Sequence, residues 1–351
     1  MVGKYIKDSE LIRSEFDCSF VNLATAANLE DIGKVGFRKL FSLLKLLGTV
    51  WRQVRSRKPA LVYITPNAVG GAFYKDFVVV QMLKWMGCRV VAHYHNKGVA
   101  TRQERWLDDK LYRLFFRGLK VILLADVLYH DIEKYVGREN VMICPNGIPD
   151  VLPPTTECDD EPASDTVPRL LFLSNLIESK GVLVLLDALK VVTEKGCRVV
   201  CDFVGGETAE MDAQRFDEEV ARRQLQHVAV YHGKKYGADK EAYWGRADIF
   251  VFPTFYPNEC FPLVLLEAMQ HALPCISTRE GAIPEIIADG QTGLLVDRKS
   301  VDELADAIIR LAGDTTARMT MGEAARKAFE QHNRLEDFER KMCAILHELA
   351  Q

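Results

Sequence analysis

Residues 247–274 read ADIFVFPTFYPNECFPLVLLEAMQHALP, and this stretch decides the fold. Its apolar start is typical of a strand that is buried on both faces, and the run ends at about Pro253. A loop follows, and we expect a helix from about Pro262, because a proline has no N–H to leave unpaired in a first helical turn. A strand, a loop and a helix in this order predict the repeating unit of a parallel, doubly wound sheet.

The same alternation of apolar runs and amphipathic segments extends in both directions from this stretch. Further strand-like runs are SFVNLA (19–24), ALVYIT (60–65), CRVVAHYH (88–95), KVILLA (120–125), NVMICPN (140–146), RLLFLSN (169–175), CRVVCDFVGG (197–206), VAVYHG (228–233), LPCISTR (273–279) and TGLLVD (292–297). The segment 151–168 interrupts the alternation, since it is rich in proline and acidic residues and poor in large apolar ones. We therefore predict an α/β protein with two doubly wound, Rossmann-like domains.

The interruption sets the predicted domain boundaries. An N-terminal domain covers residues 1–152, a linker covers 153–167 and a C-terminal domain covers 168–332. An amphipathic helix at about 333–351 is expected to complete the N-terminal domain. Ligands of open α/β sheets bind at the carboxyl ends of the strands, so we expect the active site in a central cleft that the two domains face.

Composition excludes several classes of protein. The chain has 351 residues, of which 48% are hydrophobic, which allows each domain a core of its own. The net charge of −4 lacks the positive surplus of a general nucleic-acid-binding protein. Nine cysteines occur without a CxxC pair or a metal-ligand spacing, which favours buried thiols in a reducing cytoplasm. No apolar run approaches the roughly 20 residues that cross a bilayer, so we expect a cytoplasmic protein, soluble or peripheral on the membrane.

The loop and helix of the opening stretch carry groups that suit a nucleotide. The amides of Phe261, Leu263 and Val264 would be unpaired donors at a positive helix end, which suits a diphosphate. Glu267 lies about one and a half turns into the helix, where its oxygens could accept from both hydroxyls of a ribose. Glu259, in the loop, could reach a sugar. The alternative is that both carboxylates are ordinary solvated surface groups.

The stretch resembles the E-x7-E signature of the family-4 glycosyltransferases, a large retaining family with the GT-B fold. The two glutamates are Glu259 and Glu267, and the similar string AMQHALPCISTREGAIPEIIADGQTGLLV (268–296) follows. The resemblance implies a retaining glycosyltransferase that uses a nucleotide-diphosphate sugar. It also implies that Glu267 holds the ribose, that Glu259 contacts the donor sugar, and that the intervening backbone meets the donor. The donor-binding backbone residues are Cys260, Phe261, Pro262 and Leu263.

A lysine in LLFLSNLIESKGVLVLLDAL (170–189) is the predicted phosphate ligand. Lys180 precedes a glycine at a strand-to-helix junction, where its ammonium could stabilise the charge that develops on a leaving diphosphate. The alternative is an ordinary lysine at a helix start. Members of the family usually carry an arginine where this chain has Asn175. We therefore expect Asn175 in the donor site, with the phosphates neutralised by Lys180 and helix dipoles or by an arginine from elsewhere.

Two histidines end a strand in VVAHYHNKG (90–98). His95 falls where the family has its strand-end histidine, which implies a catalytic group that hydrogen-bonds the donor sugar. His93 lies two residues earlier and therefore on the same face of the strand. Both residues could instead be structural. In CPNGIPD (144–150), Asn146 is a further candidate ligand contact, although Gly147 points first to a tight turn.

The absence of an Asp-x-Asp triplet favours a reaction without a metal ion, and no cofactor is expected. The expected partners are a nucleotide-sugar donor and a glycan or lipid-linked acceptor, as in bacterial polysaccharide and glycolipid biosynthesis. Two other functions stay open. One is a non-catalytic subunit that keeps the nucleotide-sugar pocket, and the other is a different GT-B enzyme, such as a phosphorylase or a nucleotide-sugar epimerase.

A basic segment predicts an anionic membrane surface as a further partner. Residues 34–58 hold eight basic residues and no acidic one, interleaved with large apolar residues. Such a helix could lie on anionic lipid at the inner face of the cell membrane, or it could pack its apolar side into the core and leave a solvated basic face.

The N-terminus departs from the family pattern. The chain starts with MVGKYIKDSELI, which predicts a helix, whereas the family starts with a strand and a glycine-rich loop. We therefore expect the first strand of the N-terminal sheet to be missing.

Overall fold

The computed structural model describes residues 2–23, 37–151 and 167–351. The chain forms two compact units: unit 1 comprises Met1–Pro145 and Phe338–Gln351, and unit 2 comprises Asn146–Asp337. The first boundary comes before the predicted position at 152, because the segment after Asn146 pairs within unit 2. Ile148 N–H donates to Asn333 O at 3.0 Å, and Leu335 N–H donates to Ile148 O at 2.8 Å. Apart from Val167, the predicted linker lies outside the described residues.

Each unit contains one sheet whose strand pairs are all parallel. Unit 1 has the strand order β1-β2-β3-β4, and unit 2 has the order β10-β9-β8-β5-β6-β7. The strands are β1 (Val62–Ile64), β2 (Val90–His93), β3 (Lys120–Leu123), β4 (Val141–Ile143), β5 (Arg169–Leu173), β6 (Val200–Val204), β7 (Ala229–Tyr231), β8 (Ile249–Phe252), β9 (Cys275–Thr278) and β10 (Gly293–Val296). The prediction of two parallel-sheet, Rossmann-like α/β domains is confirmed. Among the described strands only the unit 2 order reverses, because β1 to β4 follow chain order.

Helices connect the strands and cover the sheets. They are α1 (Val2–Asp8), α2 (Glu10–Glu15), α3 (Phe37–Arg57), α4 (Gly70–Trp85), α5 (Trp106–Phe116), α6 (Val182–Glu194), α7 (Ala213–Arg222), α8 (Gly237–Arg246), α9 (Leu263–Gln270), α10 (Ile283–Ile286), α11 (Val301–Gly313), α12 (Thr315–His332) and α13 (Leu335–Ala350). The central strands β2, β8 and β9 are buried along their whole length, as expected for strands covered on both faces.

One predicted strand is wrong. Ser19–Leu23, the described part of SFVNLA, forms no strand. Phe20 is 45% exposed, and the carbonyl of Leu23 accepts from Lys75 Nζ at 2.7 Å. The ring of Phe20 is therefore exposed to solvent rather than packed on a sheet. The carbonyl of Leu23 bonds to a lysine side chain rather than to a neighbouring strand. The helix predicted at the N-terminus is confirmed by α1 and α2.

Two expectations from composition concern the cysteines and membrane-spanning helices. The eight cysteines in the described ranges are all free thiols, five of them buried. Burial raises the pKa of the Cys144 thiol to about 12, so this thiol stays protonated at neutral pH. No helix within the described ranges has both the length and the apolar character needed to cross a bilayer.

Candidate functional site

The sheet of unit 2 reverses its direction of winding between β5 and β8. From β5 the chain proceeds to β6 and β7 on one side, whereas β8, β9 and β10 follow on the other side. Ligands of doubly wound sheets bind outside the carboxyl ends of the strands at such a reversal. Lys180 follows β5 and Glu259 follows β8, so the two residues flank the reversal point.

The structure brings Lys180 and Glu259 into direct contact. The ammonium Nζ lies 2.5 Å from Glu259 Oε2, and the two side chains are only 17% and 10% exposed. The ammonium also lies 4.6 Å from the centroid of the Tyr256 ring and 5.5 Å from that of Phe252. A carboxylate and two ring faces hold this ammonium in position, and the carboxylate neutralises its charge.

A glycine with a left-handed backbone positions Lys180. The 3-10 turn Glu178–Lys180 ends at Gly181, whose φ is 91°. A Cβ on Gly181 would lie 2.3 Å from the carbonyl oxygen of Pro253, so only glycine allows this approach. The amide of Phe255 donates to Ser179 O at 2.8 Å. The loop after β5 is therefore held against the loop after β8.

The loop after β9 contacts the backbone of Glu259 and Cys260. Gly281 has a φ of 54°, and a Cβ there would lie 2.3 Å from the carbonyl oxygen of Glu259. The amide of Ala282 donates to Cys260 O at 2.8 Å. Cys260 and Phe261 are both buried, at 4% and 8% exposure of the whole residue.

Helix α9 begins at Leu263, and Pro262 is its N-cap residue rather than part of its first turn as we expected. A residue with extended backbone ends the loop at this point, since the ψ of Pro262 is 114°. The amides of Leu263 and Val264 lie in the first turn, where the helix itself offers no acceptor. They are donors at the positive end of the helix dipole.

Glu267, the predicted ribose ligand, forms a second lysine–glutamate pair. Its Oε2 lies 2.7 Å from Nζ of Lys240 on α8, and the side chains are 20% and 23% exposed. Sequence analysis missed Lys240, because no local pattern connects it to a glutamate 27 positions away.

Asn175, which stands where the resemblance leads us to expect an arginine, bonds to the backbone of a neighbouring loop. Its Oδ1 accepts from the amide of Gly206 at 3.1 Å, although Asn175 itself is exposed. A Cβ on the preceding Gly205 would lie 1.7 Å from Ser174 O. The loops after β5 and β6 are therefore in close backbone contact, and the side chain of Asn175 forms a hydrogen bond between them.

The predicted histidines belong to unit 1. His93 ends β2 with no exposed surface, and its Nδ1 lies 2.6 Å from the hydroxyl of Tyr63. The ring of His95 lies 4.1 Å from that of His93, between centroids. Neither ring nitrogen of His95 is exposed to solvent or has a hydrogen-bond partner in the described part of the chain. Burial lowers the pKa of His95 to about 4, so its imidazole is neutral at physiological pH.

Asn146, the further candidate contact, is the first residue of unit 2. It is 3% exposed, and its backbone carbonyl accepts from Asn333 Nδ2 at 3.1 Å. Its side-chain oxygen is buried without a partner among the described residues. Asn146 therefore contributes to the pairing of the segments where unit 2 begins and ends.

Glu280 is a buried carboxylate that sequence analysis missed. It follows β9, is 2% exposed, and accepts from Arg298 Nη1 at 2.9 Å. Its position directly after the predicted strand run LPCISTR (273–279) is the signal that could have found it. The described residues contain no group of three or more His, Cys, Asp and Glu side chains arranged to hold a metal ion.

Comparison with known proteins agrees with this architecture. Residues 155–328 match the family model described as Glycosyl transferases group 1. The chain is 33% identical over 160 residues to D-inositol 3-phosphate glycosyltransferase from Corynebacterium glutamicum (strain R), which covers 44% of this chain and 37% of that relative. It is 25% identical over 159 residues to the capsular polysaccharide biosynthesis glycosyltransferase CapM from Staphylococcus aureus, covering 45% and 40%. The alignments thus span less than half the length of these relatives.

Among solved structures, Anabaena Alr3699/HepE in complex with UDP has a TM-score of 0.72 at 19% identity, covering 87% of this chain and 82% of that chain. At 19% identity this similarity shows a shared fold and nothing further. Residues 155–328 of this chain therefore match the glycosyl transferases group 1 family, and the two parallel-sheet α/β units have the fold of GT-B proteins.

Proposed function

We propose that the protein is a retaining glycosyltransferase that transfers a sugar from a nucleotide-diphosphate sugar to a glycan or lipid-linked acceptor, without a metal ion or cofactor. The observation that carries the proposal is the contact of Lys180 with Glu259 at the reversal point of the unit 2 sheet. Both residues lie within the region that matches the family. The family match and the chemistry of this pair thus point to the same activity.

Each group at this site has a task in the transfer. Negative charge develops on the diphosphate as its bond to the sugar breaks, and the ammonium of Lys180 stabilises that charge. The first amides of α9 add donors at the positive end of the helix. Glu259 accepts hydrogen bonds from hydroxyls of the donor sugar, and Glu267 accepts from the ribose. These groups provide part of the charge stabilisation without a metal.

We propose that His95 is a neutral group that forms a hydrogen bond with the donor sugar. Its ring nitrogens lack partners among the described residues, and burial holds the pKa of His95 near 4. A buried polar group without a partner in the protein is costly unless something else satisfies it. A sugar hydroxyl is suited to do so.

UDP is the first nucleotide to test, because the similar Alr3699/HepE structures contain UDP, UDP with glucose, and UDP-glucose. The relatives named above include enzymes of inositol phosphate glycosylation and of capsular polysaccharide biosynthesis. We propose an acceptor of the same broad kind, a polar glycan or glycolipid precursor in a bacterial biosynthetic pathway.

Calorimetric titration with UDP, GDP and ADP tests the donor site. We expect one nucleotide to bind selectively and equally well with and without magnesium. Lys180→Ala should weaken that binding about tenfold or more, since it removes a charge-assisted contact. Lys190→Ala, which alters a half-exposed lysine on α6, is the matched control and should change nothing. Failure of all three nucleotides to bind would contradict the proposal.

Glu267 is tested with a modified ribose. Glu267→Gln should weaken binding of the preferred nucleotide, because an amide has one acceptor oxygen where a carboxylate has two. With the 2′,3′-dideoxy form of the same nucleotide, the variant and the unmodified protein should bind alike. A variant that is equally weakened toward both forms would refute a role in ribose recognition.

Slow hydrolysis of the donor distinguishes an enzyme from a binding subunit. The neutral Asn175, with its side chain bonded to Gly206, favours the binding subunit as the second candidate. A retaining transferase should release sugar whose first-formed anomer matches the donor, as followed by proton NMR in the presence of EDTA. Intact donor after prolonged incubation with a protein that binds the nucleotide would favour the binding subunit.

We also propose that α3 lies on an anionic membrane surface. Phe41, Leu44 and Trp51 are 72%, 59% and 41% exposed, and Arg52 and Arg55 are exposed as well. At helical spacing these positions share one face, so the outer side of α3 combines apolar groups with cations. Such a face fits a lipid surface better than a core-packed helix with a purely polar exterior.

Sedimentation with vesicles tests this peripheral location. We expect the protein to bind vesicles that contain phosphatidylglycerol and not vesicles of phosphatidylcholine alone. Exchange of Arg52, Arg55 and Arg57 for glutamate should abolish the difference. Unchanged binding of that variant to the anionic vesicles would reject the membrane role of α3.

A further inference from the structure

The two lysine–glutamate pairs leave the donor site short of positive charge. Lys180 lies 2.5 Å from Glu259, and Lys240 lies 2.7 Å from Glu267. Each pair has no net charge, and a helix end contributes only about half an elementary charge. A diphosphate carries negative charge on both of its phosphates. The site proposed above therefore needs at least one further cation.

An unassigned lysine lies beside Asn175 at the carboxyl edge of the unit 2 sheet. The amide of Gly205 donates to Gly233 O at 3.1 Å, so the loop after β7 is bonded to the loop after β6. If Gly206 carried a Cβ, that atom would lie 3.5 Å from Cδ of Lys234 and 3.0 Å from Oδ1 of Asn175. The stem of Lys234 and the amide group of Asn175 thus both lie beside Gly206.

The ammonium of Lys234 is available to a ligand. Lys234 is exposed, and its Nζ lies 5.0 Å from the centroid of the Tyr236 ring. A ring face holds an ammonium without cancelling its charge. In the described ranges no carboxylate forms an ion pair with Lys234. It differs in this respect from Lys180 and Lys240, which are both paired.

We propose that Lys234 is a second phosphate-binding cation of this chain, which contacts the diphosphate of the donor at the strand end where Asn175 offers only a neutral amide. This inference rests on the proposed function. Lys299 is the rival cation, since it is exposed and lies 4.5 Å from the centroid of the Phe255 ring, beyond β8. We favour Lys234 because its side chain and that of Asn175, which follows β5, both lie beside Gly206.

Calorimetry with a set of related ligands tests the inference. The ligands are whichever of UDP, GDP and ADP binds the unmodified protein, together with its monophosphate and its nucleoside. Lys234→Ala should weaken diphosphate binding about tenfold or more, as for loss of a charge-assisted hydrogen bond, and leave nucleoside binding unchanged. The dependence of diphosphate affinity on salt concentration should also become weaker. Lys235→Ala and Lys299→Ala are the matched controls and should retain the original affinity.

A rescue variant gives a readout that a structural role would not produce. In the double variant Asn175→Arg/Lys234→Ala, a guanidinium replaces the lost ammonium beside Gly206, and we expect diphosphate affinity to recover. Lys234→Arg should bind as the unmodified protein does. Circular dichroism spectra and melting temperatures of all variants would show that the fold is retained.

The possible failures are distinguishable. If the unmodified protein binds no nucleotide, the proposed function fails and this inference fails with it. If Lys180→Ala weakens binding while Lys234→Ala stays within twofold of the unmodified protein, the proposed function stands and the inference is overturned. An equal loss of nucleoside and diphosphate affinity in Lys234→Ala would also overturn it, since Lys234 would then contact the base or the ribose.

Discussion

The carboxylate of Glu259 holds the ammonium of Lys180 at 2.5 Å in a place largely shielded from water. Glu259→Gln removes the negative charge and keeps the shape. We expect this variant to bind a nucleoside diphosphate more tightly, because the ammonium is no longer neutralised, and to transfer sugar more slowly, because the sugar loses a charged acceptor. The variant should also unfold about 2 to 3 kcal/mol more easily, since it leaves a nearly buried charge without its partner.

Calorimetry, steady-state kinetics and urea unfolding would measure these three effects. Glu194→Gln is a matched control, because Glu194 pairs with Lys190 on an exposed helix face. Weaker diphosphate binding by Glu259→Gln would show that the carboxylate assists phosphate binding and does not compete with it.

His95 supplies a prediction about pH. Burial lowers the pKa of His95 to about 4, whereas an unfolded chain has a histidine pKa of about 6.5. Between these values the unfolded state binds more protons, so the free energy of unfolding falls as the pH drops from about 6.5 to about 4. His95→Asn should remove up to about 3 kcal/mol of this acid-side loss, at 1.36 kcal/mol per pKa unit.

Urea unfolding between pH 7 and pH 4 would measure the change. His130→Asn, at a histidine whose side chain is 76% exposed, is the control and should leave the pH dependence as it was. If His95→Asn also left it unchanged, His95 would not be held neutral by burial.

At the scale of elements, a single glycine allows the loop after β9 to approach the backbone of Glu259 closely. Gly281 has a φ of 54°, and a Cβ there would lie 2.3 Å from Glu259 O. Gly281→Ala should therefore displace Glu259 and reduce the rate of sugar transfer as well as stability. Gly290→Ala is the matched control, since Gly290 has a φ of 75° with nothing within 4 Å of a Cβ. The control should cost only about 1 to 2 kcal/mol, the strain of a left-handed backbone.

Urea unfolding and transfer kinetics would separate the two glycines. Equal losses of stability, with transfer intact in both variants, would mean that the backbone of Glu259 tolerates a displacement at this point.

The ten strands of the described residues all lie inside runs that the sequence predicted as strands, because a strand buried on both faces is a continuous run of apolar residues. The eleventh run, SFVNLA, has a similar apolar pattern, but its described residues have no strand partner. The pattern of a single segment does not show whether another strand pairs with it. Lys180 and Glu259 could be named singly from the resemblance. Their contact, and that of Lys240 with Glu267, depends on strand order across many residues and could not be predicted from local sequence.

At the scale of the whole molecule, the two units have separate sheets, and the proposed nucleotide groups lie in unit 2. A nucleotide at a hundredfold excess over its Kd stabilises the state that binds it by about 2.7 kcal/mol. We therefore expect hydrogen exchange to slow in the loops after β5, β6 and β8 and in α9, and to stay unchanged in the sheet of unit 1.

Mass spectrometry of exchanged peptides, with and without the nucleotide, would map this protection. The Lys180→Ala protein at the same nucleotide concentration is the control and should show less protection. Protection confined to unit 1 would place the nucleotide elsewhere than proposed.

Lys180 and Glu259 are 79 positions apart, and this separation has a consequence for synthesis on the ribosome. When Lys180 leaves the exit tunnel, the strand that will bring Glu259 beside it has not yet been translated. The two residues of the proposed catalytic pair can meet only after the intervening chain has emerged and β8 has docked against β5, a non-local step that is slow by its topology. A nascent chain therefore completes the proposed donor site late in translation, and a chain released before β8 lacks Glu259.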